Sequence, residues 1–290
     1  MARKDVSPQV KRRRAVAVFL FLVIAAVAVG VAVAAVHRHH QAAAPPPLPP
    51  PPKPFRIVFP EGFTRAQMGV RVKDVAKIAN GEHRGRVRLN EFAYLAATRQ
   101  AAVPCFGKAK QTNLEGFLFP ATYQFLTGTT SKELALDQIR AFCRNWRNVD
   151  MSYARSKNLT PYDVLTIASM IEREAQVPSE RPLIAAVIYN RLHNHMQLGI
   201  DATLRYGLHI PPTSSITKSQ LASSNPYNTR RLFGLTPTPI ANPGLASIRA
   251  AAHPAHVDYL YYVRKPDHRH HFFTVSASAF DAYLAAHGYR

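Results

Sequence analysis

Apolar residues fall along the chain in three regimes. From Ala15 to Val36 they run without interruption, as Ala, Val, Leu, Ile, Phe and a single Gly. At 1.5 Å per residue such a helix reaches roughly 30 Å, about one hydrocarbon core, which predicts a membrane-spanning helix. Phe55–Phe59 then alternates like a short strand, and Pro60-Glu61-Gly62 reads as a turn. Thr64 can cap a helix to about Ala79, stopped by Asn80-Gly81, and Asn90 can cap a second through Thr98. Beyond Asn113, helical periodicity predicts helices at Ser131–Trp146, Pro161–Ala175, Glu180–Asn194 and Leu245–Ala252. Residues 201–244 are rich in Pro, Gly, Asn, Ser and Thr and read as loop. Asp258–Lys265 and His271–Val275 read as two strands joined by Pro-Asp-His-Arg. Helices and strands mix without βαβ repetition, so the expected class is α+β, in the divisions 1–14, 15–36, 37–54, 55–110 and 111–290.

The flanks of the apolar run assign it an orientation. Lys11, Arg12, Arg13 and Arg14 precede it, with Arg3 and Lys4 further out, whereas His37, Arg38, His39 and His40 follow. The excess of Lys and Arg on the first side leaves residues 1–14 in the cytoplasm and the remainder outside. A cleaved signal peptide is the alternative, but its apolar core is usually shorter. Ala44–Pro54 reads APPPLPPPPKP, a polyproline II spacer of roughly 34 Å, or a linker with no length requirement.

Composition matters mainly through charge. The 290 residues carry a formal charge of +20, which calls for a polyanionic neighbour such as nucleic acid, anionic lipid or an acidic wall polymer. Export turns the choice away from nucleic acid. The two cysteines, Cys105 and Cys143, form no zinc or disulfide framework, and pairing or two buried thiols both remain open.

Acids are scarce. From Thr160 onward they are Asp163, Glu172, Glu174, Glu180, Asp201, Asp258, Asp267 and Asp281. On the Pro161–Ala175 helix, Thr160 suits the N-cap and Asp163 the N3 position of a capping box. Val164, Leu165, Ile167, Ala168, Met170 and Ile171 cover one broad face. Glu174 follows Ile167 and Ile171 at i+7 and i+3 and so projects within that face, with Glu172 near its edge and Arg173 opposite. A carboxyl on a buried stripe is costly to ionise and held ready as an acid. From helical position alone the favoured reading is structural, a salt bridge or a cap on a neighbouring element, because helix ends often face solvent.

Seven segments then resemble, in one order, motifs of the endolytic murein transglycosylases, the MltG or YceG-like family. They are Leu114–Tyr123 (LEGFLFPATY), Ala168–Ala175 (ASMIEREA), Ala186–Leu192 (AVIYNRL), Asn225–Thr229 (NPYNT), Pro239–Gly244 (PIANPG), Asp258–Val263 (DYLYYV) and His271–Phe273 (HFF). Phe59–Gly62 (FPEG) is similar to part of that family's LysM-like module, here truncated, which places it in residues 55–110.

The resemblance implies a single-pass inner-membrane enzyme beside the wall-synthesis machinery, with peptidoglycan synthases as partners and no cofactor. It would cleave the bond between N-acetylmuramic acid and N-acetylglucosamine within glycan strands, leaving a 1,6-anhydro end and ending strand growth. Glu174, the second glutamate of the E-x-E pair, would be the one acid. Tyr189, Asn190, Tyr227, Asn228 and His271 fall within these segments, Asp201 and Thr203 fall within Leu198–Thr203 (LGIDAT), which resembles the family's stretch after the YNRL helix, and all seven are candidates to hold the sugar. Tyr189 and Asn190 equally suit packing or capping. The sequence departs from the family pattern at Gly199, where a glutamine is usual, at Ala202, where a proline is usual, and at Thr238, where a glycine is usual. The rival functions are a lysozyme-like hydrolase with Asp201 as second carboxylate, a catalytically silent wall-binding scaffold, and a metal hydrolase using His253 and His256 or His268, His270 and His271.

Overall fold

A computed structural model describes residues 7–40, 53–82, 86–107 and 110–289. It divides into two units, residues 1–52 and 53–290. The first contains helix α1, Pro8–His40, which is long and apolar enough to cross a membrane. It starts before the expected span and continues into the stretch expected as linker. Most of the Pro-rich segment lies outside the described residues.

The second unit is mixed α and β. Strand β1 (Phe55–Val58) leads into α2 (Arg65–Glu82) and α3 (Glu91–Ala97). Asn90 caps α3 as its sequence position implies, accepting the Ala93 N–H. The two-residue strands β2 (Ala101–Ala102) and β3 (Lys110–Gln111) pair, and β4 (Thr122–Phe125) returns antiparallel to β1, with Ile57 opposite Tyr123. This pairing crosses the boundary expected near residue 110, so both stretches share one core. Phe59, Tyr94, Phe117 and Phe142 are buried within it.

Helix α4 (Ser131–Trp146) opens with a capping box between Thr130 and Glu133. A disulfide joins Cys143 on α4 to Cys105 on a short 3-10 turn, beside the Phe106, Phe142 and Trp146 rings.

After α5 (Ser152–Ser156) comes the central helix α6 (Pro161–Glu174). Its start follows from the sequence: Thr160 and Asp163 satisfy each other's backbone N–H groups, and Pro161 sits where no amide is needed. Residues 164–171 are all buried, because α7 (Arg181–His193), α8 (Asp201–Gly207) and α10 (Leu245–Ala252) pack around the helix. Burying each Leu or Ile side chain there contributes about 1.5–3 kcal/mol. The four-residue α9 (Lys218–Leu221) lies in the expected loop region.

Strands β5 (Tyr261–Arg264) and β6 (His271–Thr274) form an antiparallel hairpin, shorter than the alternation implies, followed by α11 (Ala277–Ala286). Alternation gives the hairpin two faces. Tyr261 and Phe272 stack on Phe280 and Tyr283 of α11. Tyr262, Arg264, His271 and Phe273 share the other face, where Tyr262 packs against both His271 and Phe273.

One buried knot ties distant loops together. The Asn242 side-chain oxygen accepts the Gly116 and Leu118 N–H groups, and its amide donates to the Phe63 carbonyl and to Glu115 Oε1. Gly116 is required here: its φ is +90°, and a Cβ would lie 2.7 Å from Pro239 Cγ.

Candidate functional site

Glu174 is the last residue of α6, and Ala175 leaves the helix with an extended ψ of 118°. The break leaves the Glu174 carbonyl without an intrahelical partner, and Arg264 Nη2 donates to it at 3.2 Å. A cation at a helix C-terminus is also favoured by the helix dipole. Glu174 as a residue is partly exposed, and its carboxyl makes no hydrogen bond among the described residues. Burial raises its pKa and Asp201 raises it further, while Arg264, Arg173 and Arg230 pull it down; the net direction is up. The site therefore presents a carboxyl biased toward its protonated form, with cations near enough to accept the charge when the proton leaves.

The two neighbours on α6 are committed elsewhere. Glu172 accepts the Gly244 N–H at 2.9 Å and lies 3.8 Å from Arg181. Glu61 stands beside it, close enough that a Cβ on Gly244 would overlap its carboxyl. Burial and the Glu172 charge raise the Glu61 pKa. Arg173 points the other way, donating to the Gly62 carbonyl, as the helical wheel requires.

Two groups beside Glu174, and an arginine that braces the strand carrying them, are not legible in the sequence. Arg264 and Tyr262 arrive from one face of β5. Burial pushes the Tyr262 phenol far above its ordinary value, and the Glu174 charge adds to this, so Tyr262 stays a neutral O–H group beside the acid. Arg191 on α7 clamps the surround: Nε donates to the Leu260 carbonyl at 2.6 Å and Nη1 to the Leu198 carbonyl at 2.7 Å. The alternation of residues 258–265 was the available signal, since it sets Tyr262 and Arg264 on one face. Gly199 sits at φ +66° with Arg191 Nη1 3.2 Å from where a Cβ would be, so a close turn occupies this position.

The remaining candidates divide by what their polar atoms do. Asp201 begins α8 and pairs with Arg230 Nε at 2.5 Å, both side chains about half exposed. Tyr227 is half-buried, its hydroxyl 2.8 Å from Thr238 Oγ1 and its ring near Tyr206. Thr203 and Asn228 are fully buried. Thr203 bonds the Ile200 carbonyl and Thr229, whereas Asn228 donates to the Leu221 and Ser223 carbonyls and accepts the Arg230 N–H. They shape the loop that carries Arg230 to Asp201.

Tyr189 donates to the Ala251 carbonyl at 2.6 Å, and Asn190 donates to the Val257 and Tyr259 carbonyls, fastening the lead into β5 onto α7. Both border a separate cavity of about 690 Å³ with Tyr153 and Lys157, which Glu174 does not line. His271 is buried, with its backbone N–H and Nδ1 on the two oxygens of Glu180, and burial lowers its pKa. Its Nε2 has no hydrogen-bond partner among the described residues.

A further cavity of about 380 Å³ is lined by Gln67, Glu115, Arg173, Arg205 and Tyr206. Glu115 is buried in its wall, with its pKa pushed up to about 7 by burial. Its oxygens accept the Arg65 N–H, the Asn242 amide and the Tyr206 hydroxyl. Among the described residues no three His, Cys, Asp or Glu side chains are grouped to hold a metal. His253 lies 3.3 Å from Asp150, and His270 2.8 Å from Asp267.

The mixed α+β unit thus sets at a helix end, among arginines, a carboxyl without a hydrogen-bond partner among the described residues. A model of the YceG-like family matches residues 37–285, and the chain belongs to that family. It is 34% identical over 221 residues to the endolytic murein transglycosylase of Bacillus subtilis, covering 73% of this chain and 59% of the relative. It is 34% identical over 166 residues to the endolytic murein transglycosylase of Streptococcus pneumoniae, covering 56% of this chain and 30% of the relative. The chain thus spans less than two thirds of these relatives. The crystal structure of the yceG-like protein lmo1499 of Listeria monocytogenes superposes with a TM-score of 0.65 at 28% identity, over 79% of this chain and 75% of that one.

Proposed function

We propose that this protein cleaves the glycan strands of peptidoglycan from within, as a lytic transglycosylase, with Glu174 as its only protein acid. The Glu174 carboxyl, without a hydrogen-bond partner among the described residues and with its pKa raised by burial, carries this assignment, and the names of the relatives supply the substrate class. Protonated Glu174 gives its proton to the oxygen joining N-acetylmuramic acid to N-acetylglucosamine as that bond breaks through an oxocarbenium-like state. The carboxylate left behind is stabilised by the Arg264 and Arg230 charges. It then takes the proton of the sugar's own C6 hydroxyl as that oxygen bonds to C1. The product is a 1,6-anhydro end, no water is consumed, and Glu174 returns to its starting state.

Asp201, with about half its side chain exposed, and the half-buried Tyr227 are the proposed sugar contacts. Tyr189, Asn190, Thr203, Asn228 and His271 act by holding β5 and the loop around Asp201 in place. Helix α1 anchors the protein with residues 1–14 in the cytoplasm, and the stretch 55–110 packs with the residues after it as one unit. A disulfide in the second unit fits an oxidising compartment. The cut ends the growth of nascent strands beside the peptidoglycan synthases.

Mass spectrometry of glycan digested by the purified chain tests this reading. Anhydro ends are expected, and loss of turnover by at least ~100-fold in Glu174→Gln with an unchanged melting curve. Reducing ends would identify a hydrolase that draws on Asp201, and unchanged cleavage by Glu174→Gln would remove Glu174 from the chemistry.

A further inference from the structure

A groove of about 880 Å³ lies between α2, the segment leading into α3, and the start of α4, remote in sequence from Glu174. Its cations come from three elements: Lys73 and Lys77 on α2, Arg86 and Arg88 before α3, and Lys132 on α4. Among the described residues Glu91 is the one acid lining it, and it lies 3.4 Å from Lys73. Glu133 sits nearby but serves the capping box with Thr130, and Asp74 is exposed on α2 without lining the groove.

The cations are held on fixed backbone. Val87 and Leu89 are buried and alternate with Arg86 and Arg88, which leaves the arginines facing out. Asn80 Oδ1 accepts the Val87 N–H, and the Arg88 N–H donates to the Thr127 carbonyl. Two local features run against stability. Lys73 and Lys77 repel each other at i,i+4, and Lys132 places a cation in the first turn of α4, where the helix dipole disfavours it. Phe92, also lining the groove, is 84% exposed. Features that break local rules without stabilising the fold mark a functional surface. A neutral glycan would leave this charge, and much of the chain's +20, unexplained.

We propose that this groove binds a linear polyanion, a strand bearing a row of phosphate or carboxylate groups, with Phe92 along its edge. The cations neutralise successive anions, and binding releases the counterions condensed on the strand, so affinity falls steeply with salt. The site is independent of the chemistry at Glu174.

Calorimetric titration of the full chain in uncharged detergent micelles, with a short polyphosphate and with poly-L-glutamate, tests the proposal at low and moderate salt. Saturable binding of at least one polymer is expected, weakened at least roughly tenfold by Lys77→Glu with Arg88→Glu, with a shallower salt dependence. The same charge change at two exposed positions outside the groove, Arg155→Glu with Arg269→Glu, should leave affinity within about twofold. Preference for polyphosphate identifies a phosphate-bearing strand, and preference for polyglutamate a carboxylate-bearing one. Absence of binding overturns the proposal, as does equal weakening by both variant pairs. A response confined to micelles doped with phosphatidylglycerol overturns it in favour of a lipid surface.

Discussion

Replacing Glu115 by glutamine should stabilise this protein at alkaline pH and leave it unchanged in acid. Glu115 is almost wholly buried, with three donors on its two oxygens. Burial outweighs those bonds and lifts its pKa from 4.5 to about 7. The folded state therefore binds this proton more tightly than the unfolded chain, so stability rises as pH falls from about 7 to 4.5 and is lost as pH climbs through 7. The full difference corresponds to about 3 kcal/mol. Glutamine preserves the geometry: its oxygen keeps the Arg65 N–H and Asn242 bonds, and its amide donates to the Tyr206 oxygen, whose own proton turns away. Urea unfolding of the full chain in uncharged micelles, wild type against Glu115→Gln, measures the difference across this range. Expected is a gain of up to about 3 kcal/mol near pH 8 that shrinks to nearly nothing near pH 4.5. Parallel curves at every pH, or a variant weaker than wild type at pH 8, would show that Glu115 is not held protonated by its surroundings.

Arg264→Gln removes the cation that most lowers the Glu174 pKa, so that pKa rises further. Because Glu174 must be protonated to donate, the alkaline limb of the kcat–pH profile should move to higher pH; a downward move would contradict the proposed role. Replacing both Cys105 and Cys143 by alanine opens a cross-link spanning 38 positions, which costs about 4 kcal/mol in the chain-entropy model. Calorimetry should find the melting temperature lower by about 10 °C or more, and an unchanged value would mean that the aromatic packing around Phe142 and Trp146 suffices.

The sequence was most legible where structure is local. The Thr160–Asp163 capping box and the apolar run after it specify α6 and bring Glu174 to its end, and Asn90 marks the start of α3 just as directly. Strand β4 was missed because its Thr-Tyr-Gln-Phe acquires meaning only opposite β1, far earlier in the chain. Helix α11 was missed because its apolar residues meet only the outer face of a hairpin, so they make no broad stripe. Helix α8 lacks a side-chain cap at Ile200 and has only seven residues, too few for a period to show.

At the site, Glu174 and Asp201 could be named from the chain, while Arg264 and Tyr262 reach the acid only through the fold of the hairpin. The motif positions were legible as positions but not as roles. Asn190 and Thr203 look the same in one dimension whether they meet a sugar or a backbone carbonyl, and here both bond to carbonyls of the chain itself.

The knot at Asn242 has a consequence for how the chain is made. The Phe63 carbonyl waits for a partner 179 positions later. At about 5–20 residues per second, synthesis takes roughly 10–40 s to cover that distance. Throughout that interval β1 and the turn after it have been synthesised but lack the Asn242 bonds, and β1 also lacks a strand neighbour until β4 follows. The opening segment of the second unit is thus the last to gain its full set of bonds, and mutations that slow closure there should appear first as proteolysis of incomplete chains, before any loss of equilibrium stability.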